Sequence, residues 1–406
     1  MEKKIRLGVI GIGHMGSAHA KHVVQGKCPD FELVAIADVS EARRSWAKET
    51  LGEQVQTFSD AMEMLDSGLL DACIVAVPHY DHARYAIACM QRDIHVLVEK
   101  PAGVYTKQVL EMNAEADKHP ELKFAMMFNQ RTNHIYRKIH ELIHSGNYGQ
   151  IRRTNWIITN WYRPQAYYDS GAWRATWAGE GGGVLLNQCP HQLDLWQWLC
   201  GMPTRVHAFL HYGKWHDIEV EDDVTAYVEY ENGATGVFIT TTGDGKGSNR
   251  LEIQLDKAKI VAEGDRLQVD EFEMTEQEFS RTYTKGFGSV HTTRLEIETD
   301  GKNEQHVGVI NAWGGAILRG EPMVADGREG INSLTISNAM HLSSWLNKTI
   351  DMPFDDQLYY EELMKRVASS RKKEGVKTVI ADTGDTYGST VTDADGEYKT
   401  RWNTNW

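Results

Sequence analysis

The chain has 406 residues, with 43 Lys and Arg against 57 Asp and Glu, for a formal net charge of -14. That length exceeds one ordinary core and points to two domains, while 41% hydrophobic and 25% charged residues describe a folded chain rather than a disordered one. The acidic balance argues against a nucleic-acid partner, which would be met by a basic stripe, and no apolar run is long enough to cross a bilayer.

The N-terminus, MEKKIRLGVIGIG, begins with basic residues but breaks into glycines without a small-residue cleavage site, so it reads as a first strand rather than a leader. The five cysteines are scattered, which fits a reduced, cytoplasmic setting. Ile5 to Ile10 is a near-continuous apolar strand, followed by Gly11-Ile12-Gly13-His14-Met15-Gly16 and a helical pattern to about Gln25. A GxGxxG is specific when it closes a strand and opens a helix. Gly11 then permits the tight turn, Gly13 lets a pyrophosphate approach the backbone, and Gly16 lets helix and strand pack closely. The helix N-terminus, with His14 and Met15, receives the phosphate charge.

The second strand, Glu32 to Ala37, ends in Asp38, 22 residues past Gly16, where a carboxylate accepts hydrogen bonds from an adenosine ribose. An N-cap for a helix starting at Ser40 is the alternative use of Asp38. Val39 follows it instead of an arginine, which favours NAD over NADP, with Arg43 and Arg44 weighing the other way.

The alternation continues through a strand Leu70 to Val77, Pro78-His79-Tyr80-Asp81-His82 and a helix to about Gln91. A buried strand Ile94 to Val98 follows and ends in Glu99-Lys100-Pro101. After it come a helix Thr106 to Lys118 and a strand Lys123 to Phe128 that ends in Asn129-Gln130-Arg131. Strands alternating with helices give an α/β, doubly wound parallel sheet. Its strand ends then bring Pro78, His79, His82, Glu99, Lys100, Gln130 and Arg131 to one crevice, beside a nicotinamide. Lys100 is expected to point at a substrate; the plainer alternative is a surface ion pair at a strand end.

From Ile151 the pattern changes to long β-like segments, at Ile151 to Thr159, Arg205 to Tyr212, Val224 to Glu231, Ala234 to Thr242 and Arg250 to Leu255. Asn232-Gly233 marks a hairpin between two of them. An α+β unit with a large, open, mainly antiparallel sheet follows, and its flat face needs covering. The expected boundaries are 1–130 for the dinucleotide domain, 131–372 for the substrate and oligomerisation domain, and 373–406 for a polar extension with two terminal tryptophans.

Trp161, Tyr162, Tyr167, Tyr168, Trp173 and Trp177 fall within seventeen residues, with Arg163 and Arg174 among them. Such rings suit the faces of sugars or the packing of a loop, and half are expected in each role. After Gly181-Gly182-Gly183, helical spacing puts Asn187, His191 and Asp194 on one face. Pro190 fits the first turn of a helix beginning near Cys189, which leaves His191 at a helix N-terminus as a neutral imidazole able to act as a base. His79, His82, His191 and Asp194 lack a metal-ligand spacing, so no metal is expected.

GIGHMGSAH, VPHYDHARYAIACMQRDIHVLVEKPAG and MMFNQR together resemble the Gfo/Idh/MocA oxidoreductases, the glucose-fructose oxidoreductase and inositol dehydrogenase group, over most of the chain to about residue 372. The resemblance implies a Rossmann domain with NAD and a lysine, here Lys100, that contacts the reacting hydroxyl and precedes a usually cis proline. It also implies an open sheet that packs homodimers or homotetramers, and last helices that fold back on the first domain. It places a catalytic histidine at His191. Many members carry an aspartate four residues earlier; this chain has Asn187, so the proton falls to His191 or Lys100. Arg131, Tyr162, Arg163, Trp173, Arg174 and Asn187 are the expected substrate contacts beside these two. The implied activity is NAD-dependent dehydrogenation of a secondary hydroxyl on a sugar, sugar derivative or cyclitol. The same resemblance admits a redox-neutral, NAD-dependent glycoside hydrolase, and a non-catalytic NAD or sugar sensor is the third reading.

Overall fold

The computed structural model describes residues 4–371 and Lys373. The expected extension from residue 374 onward lies outside the described residues. Six short strands form the first sheet: β1 Ile5–Ile10, β2 Phe31–Ala37, β3 Gln56–Phe58, β4 Ala72–Val75, β5 His95–Val98 and β6 Phe124–Met126. Their order is β3-β2-β1-β4-β5-β6, with every pairing parallel. Strand order reverses between β1 and β4, which opens a crevice beyond their carboxyl ends.

The second sheet has nine strands among the described residues: β7 Ile151–Ile158, β8 Arg205–Tyr212, β9 Glu221–Glu229, β10 Thr235–Thr241, β11 Asn249–Leu255, β12 Ala258–Glu263, β13 Arg266–Phe272, β14 Thr292–Glu296 and β15 Ile350–Asp351. They run in the order β14-β13-β12-β11-β7-β10-β9-β8-β15. The β7–β10 pair is parallel and the others antiparallel. The turn between β9 and β10 holds Gly233 at φ +81°, the left-handed conformation the Asn-Gly pair predicted.

Alternation along these strands sorts one face inward. Trp156, Ala226 and Phe238 are buried there, and Trp196 of the helix Pro190–Cys200 stacks on Phe238 at 5.3 Å. The opposite face exposes Ile157, Phe209 and Tyr227. The helix Gln305–Arg319 returns from the second sheet to the first. Its Trp313 stacks on Phe31 at 5.3 Å and donates to the Lys123 carbonyl at 3.0 Å. No helix among the described residues is long and apolar enough to cross a membrane.

Candidate active site

A cavity of about 620 Å³ lies at the carboxyl ends of β1, β4 and β5, closed on its far side by the segment from Trp161 to His191. Its first half is built by backbone. Gly11 has φ +81° and would place a Cβ 2.6 Å from the Ala76 carbonyl oxygen, while a Cβ on Gly16 would sit 1.9 Å from that of Gly11. At Gly13 a Cβ would meet nothing within 4 Å. That open space lies at the start of the helix His14–Val24, a cradle that fits a dinucleotide pyrophosphate.

Asp38 lines the same half. Its carboxylate accepts from Ile12 N at 2.9 Å and Ser40 N at 2.8 Å, and Ser40, not Asp38, caps the next helix. Each oxygen keeps an acceptor position for a ribose hydroxyl. Arg43 is spent on the Ile12 carbonyl at 2.9 Å and Arg44 on the Asp38 carbonyl at 2.7 Å, so both guanidinium groups already serve the turn. Asp38→Ala is expected to weaken NADH binding about tenfold or more, the usual worth of a hydrogen bond to a charged group, with fluorescence titration as the check.

The second half holds the candidate catalytic groups. Glu99 and Lys100 leave the end of β5, and the Lys100–Pro101 peptide is cis. Glu99 is buried, with His19 Nε2 at 2.6 Å from one carboxylate oxygen and Lys100 N donating to the other at 3.1 Å. Burial works to raise the Glu99 pKa, but His19 first, then His306 and Lys100, prevail and hold it at about 2. Lys100 Nζ donates to the Asn187 carbonyl at 2.9 Å; burial lowers its pKa, against the pull of Glu99. His82 lies between the carbonyls of Pro101 and Val77, at 2.6 and 2.8 Å, and His79 Nδ1 lies 3.2 Å from the Glu180 carbonyl. Both histidines line the cavity together with Pro78, His14 and Met15.

Pro190 opens its helix, with Cys189 as N-cap, so His191 sits in the first turn. Its ring nitrogens are buried without a hydrogen-bond partner among the described residues. Burial first, then Lys100, lowers its pKa to about 3, so the imidazole is neutral near physiological pH. Asn187 precedes this helix rather than sharing a helical face with His191 and Asp194. Its Nδ2 donates to the Tyr167 hydroxyl at 3.1 Å and to a Glu180 carboxylate oxygen.

Three expected contacts are corrected. Arg131 does not line the cavity. It is 4% exposed, with Nε and Nη2 donating to the two Asp194 oxygens at 2.8 and 2.6 Å and Nη1 to Glu329 at 2.7 Å. The short turn Asn129–Thr132 after β6 swings these side chains inward. Gln130 is buried against Gln305, 3.1 Å from its Oε1, and does not line the cavity. Tyr162 is 37% exposed, outside the lining. Of the aromatic run, Trp161, Tyr167 and Trp173 line the cavity with Arg163 and Arg174. Tyr168 is buried with its hydroxyl 2.7 Å from Thr242 Oγ1, and Trp177 packs at 5.7 Å on Trp345. Glu180 was not expected. It is a buried carboxylate before three glycines, and nothing in its local sequence marks it; only the fold turns it onto Asn187.

A glycine turn fitted to a pyrophosphate, an acid fitted to a ribose and a lysine–imidazole pair over one cavity define a dinucleotide-dependent oxidoreductase. The family model described as "Oxidoreductase family, NAD-binding Rossmann fold" matches residues 5–126, and the GFO/IDH/MocA C-terminal domain matches 136–261. The chain belongs to the Gfo/Idh/MocA oxidoreductase family, and its cofactor is NAD. It is 26% identical over 270 residues to the myo-inositol 2-dehydrogenase of Thermotoga maritima, covering 64% of this chain and 76% of that protein. It is 26% identical over 353 residues to an inositol 2-dehydrogenase of Rubrobacter xylanophilus, covering 83% and 90%. The structure of the WlbA dehydrogenase from Bordetella pertussis in complex with NADH and UDP-GlcNAcA superposes with a TM-score of 0.72 at 26% identity, over 87% of this chain and all of that one.

Proposed function

We propose that the chain is an NAD-dependent dehydrogenase of a secondary hydroxyl on a sugar, sugar derivative or cyclitol. The observation that carries this reading is Lys100 and His191 lining one cavity with the glycine turn. Bound NAD supplies the hydride acceptor. Lys100 hydrogen-bonds the reacting oxygen and stabilises the charge that develops on it. His191, neutral and without a hydrogen-bond partner among the described residues, is the first acceptor of the hydroxyl proton. Asn187 and Arg174 orient the rest of the substrate, with Trp161 and Trp173 against its apolar faces. Relatives named as inositol dehydrogenases support a polyol substrate.

We assign cofactor binding to residues 1–130 and substrate binding to 131–372. Exposed Ile157, Phe209 and Tyr227 on the outer sheet face support a homodimer or homotetramer through that sheet. Free, mostly buried cysteines suit a cytoplasmic setting.

The test is NADH formation, read by its near-ultraviolet absorbance, over a panel of cyclitols, sugars and glycosides with product analysis. NADH appearing with one polyol class is the expected result. A glycoside cleaved without NADH release would replace the dehydrogenase with the redox-neutral hydrolase, and bound NAD with neither signal would favour a sensor.

A further inference from the structure

Tyr167 is a cavity residue that the dehydrogenase reading leaves without a task. It belongs to the short helix Gln165–Asp169 and lines the cavity with Lys100, His191, Arg163 and Arg174. Its oxygen is approached by three N–H donors: Arg174 Nη1 at 3.0 Å, Asn187 Nδ2 at 3.1 Å and Gln188 Nε2 at 3.3 Å. A neutral phenol offers two acceptor positions and must place its own proton, so three donors overfill it, whereas a phenolate accepts all three. The Asn187 amide is held in this orientation because its Nδ2 also donates to Glu180, whose other oxygen accepts from Ala175 N at 2.5 Å.

The charges around the ring favour the same form. The guanidinium of Arg174 lies 4.6 Å from its centre and that of Arg163 5.2 Å. Lys100 is the third cation that acts on it, Glu180 is the opposing carboxylate, and His14 contacts Arg174 from the far side at 3.4 Å. The adjoining Tyr168 is turned away toward Thr242. Burial works to raise the Tyr167 pKa, but Arg174 and Arg163 outweigh it and bring it below its ordinary value. His191, by contrast, stands beside Lys100 with no hydrogen-bond partner among the described residues, so an imidazolium there is disfavoured.

We propose that Tyr167, as a phenolate, is the group on which the substrate's hydroxyl proton comes to rest. This rests on the dehydrogenase reading of the site. The oxidation balances as follows: the C–H and O–H bonds of the secondary alcohol break, a carbon–oxygen double bond forms, the hydride goes to the nicotinamide, and the proton ends on the phenolate, which becomes a phenol. Once the ketone leaves, the half-buried Tyr167 returns its proton to water. Turning the Gln188 amide around would instead let a neutral phenol donate to Gln188 Oε1, an oxygen otherwise without a partner among the described residues, and the two arrangements differ in what they absorb.

The experiment compares the full chain with Tyr167→Phe by ultraviolet difference titration without substrate, followed by the pH profile of alcohol oxidation. The expected result is one tyrosinate in the wild-type spectrum, absent from the variant, that titrates below the ordinary tyrosine value of about 10. Tyr167→Phe should bind NADH normally, keep its KM and lose about a hundredfold or more in kcat, together with the rising limb of kcat/KM over the pH range in which the tyrosinate appears. A wild-type spectrum without that tyrosinate overturns the proposal, even if the variant is slow, and so does a variant with wild-type kcat. If Tyr167→Phe does not fold, Arg174→Gln serves: the tyrosinate titration should move to higher pH, and an unmoved titration overturns the assignment. A wild-type chain that oxidises no alcohol while still showing the tyrosinate would overturn the dehydrogenase reading itself.

Discussion

Replacing Lys100 with methionine is expected to lower kcat about 100- to 1,000-fold while NADH binding stays close to wild type. The size follows from losing one preorganised donor at a developing negative charge. Lys100 is suited to that role because its ammonium is already oriented by the Asn187 carbonyl at 2.9 Å, with the ionised Glu99 one residue behind it. No reorganisation is then needed when the substrate oxygen becomes charged. Binding of NADH should survive because the turn Gly11 to Gly16 and Asp38, the groups proposed to hold most of it, do not depend on the lysine charge. Methionine is an unbranched side chain one atom shorter than lysine, and it removes the charge and its donors. The measurements are steady-state kinetics on the active polyol and a fluorescence titration with NADH. Unchanged turnover would remove Lys100 from the mechanism, whereas joint loss of turnover and NADH binding would point to a collapsed site.

Arg131→Met is expected to destabilise the chain by about 3–5 kcal/mol, the usual effect of breaking a buried ion pair from one side. Both partners are almost fully enclosed, with side-chain exposures of 2% for Arg131 and 1% for Asp194. Burial raises the Asp194 pKa and Arg131 opposes it, so losing the guanidinium strands a carboxylate in a site it cannot tolerate when charged. The double variant Arg131→Met, Asp194→Leu should recover most of the loss, because it removes both charges together. Urea unfolding of the three proteins provides the check. The result also separates the two roles considered for Arg131. A raised KM at unchanged stability would return it to the substrate site, and a lost urea midpoint with wild-type KM in the surviving fold would keep it as the bolt between the β6 turn and the helix Pro190–Cys200.

How far local sequence reaches is visible in particular residues. Gly11, Gly13 and Gly16 could be assigned separate tasks because each is a local steric demand: a positive φ, an open approach and a close carbonyl. Pro190 similarly located a helix start, and with it His191. Arg131 and Gln130 were misplaced because a strand end states only where the backbone stops. Whether the next side chains face the crevice depends on the turn Asn129–Thr132 and on partners from far along the chain, Asp194, Gln305 and Glu329.

The aromatic run shows the same boundary. Composition and clustering identified a loop rich in rings and arginines, yet did not say that Tyr167 would receive three donors while Tyr168, next to it, would turn to Thr242. Adjacent residues point in different directions, and the choice between them is made by packing. By itself the sequence determined the doubly wound sheet, the glycine turn, the acid after the second strand, the lysine at the end of β5 and the histidine after Pro190, because each is set by backbone conformation or short-range periodicity. Only the tertiary structure decided which side chains share the cavity. Glu180 reaches Asn187, Arg131 is drawn away to Asp194, and Arg163 and Arg174 close on Tyr167, because these contacts join residues whose mutual distance is set by how two sheets and a returning helix pack together.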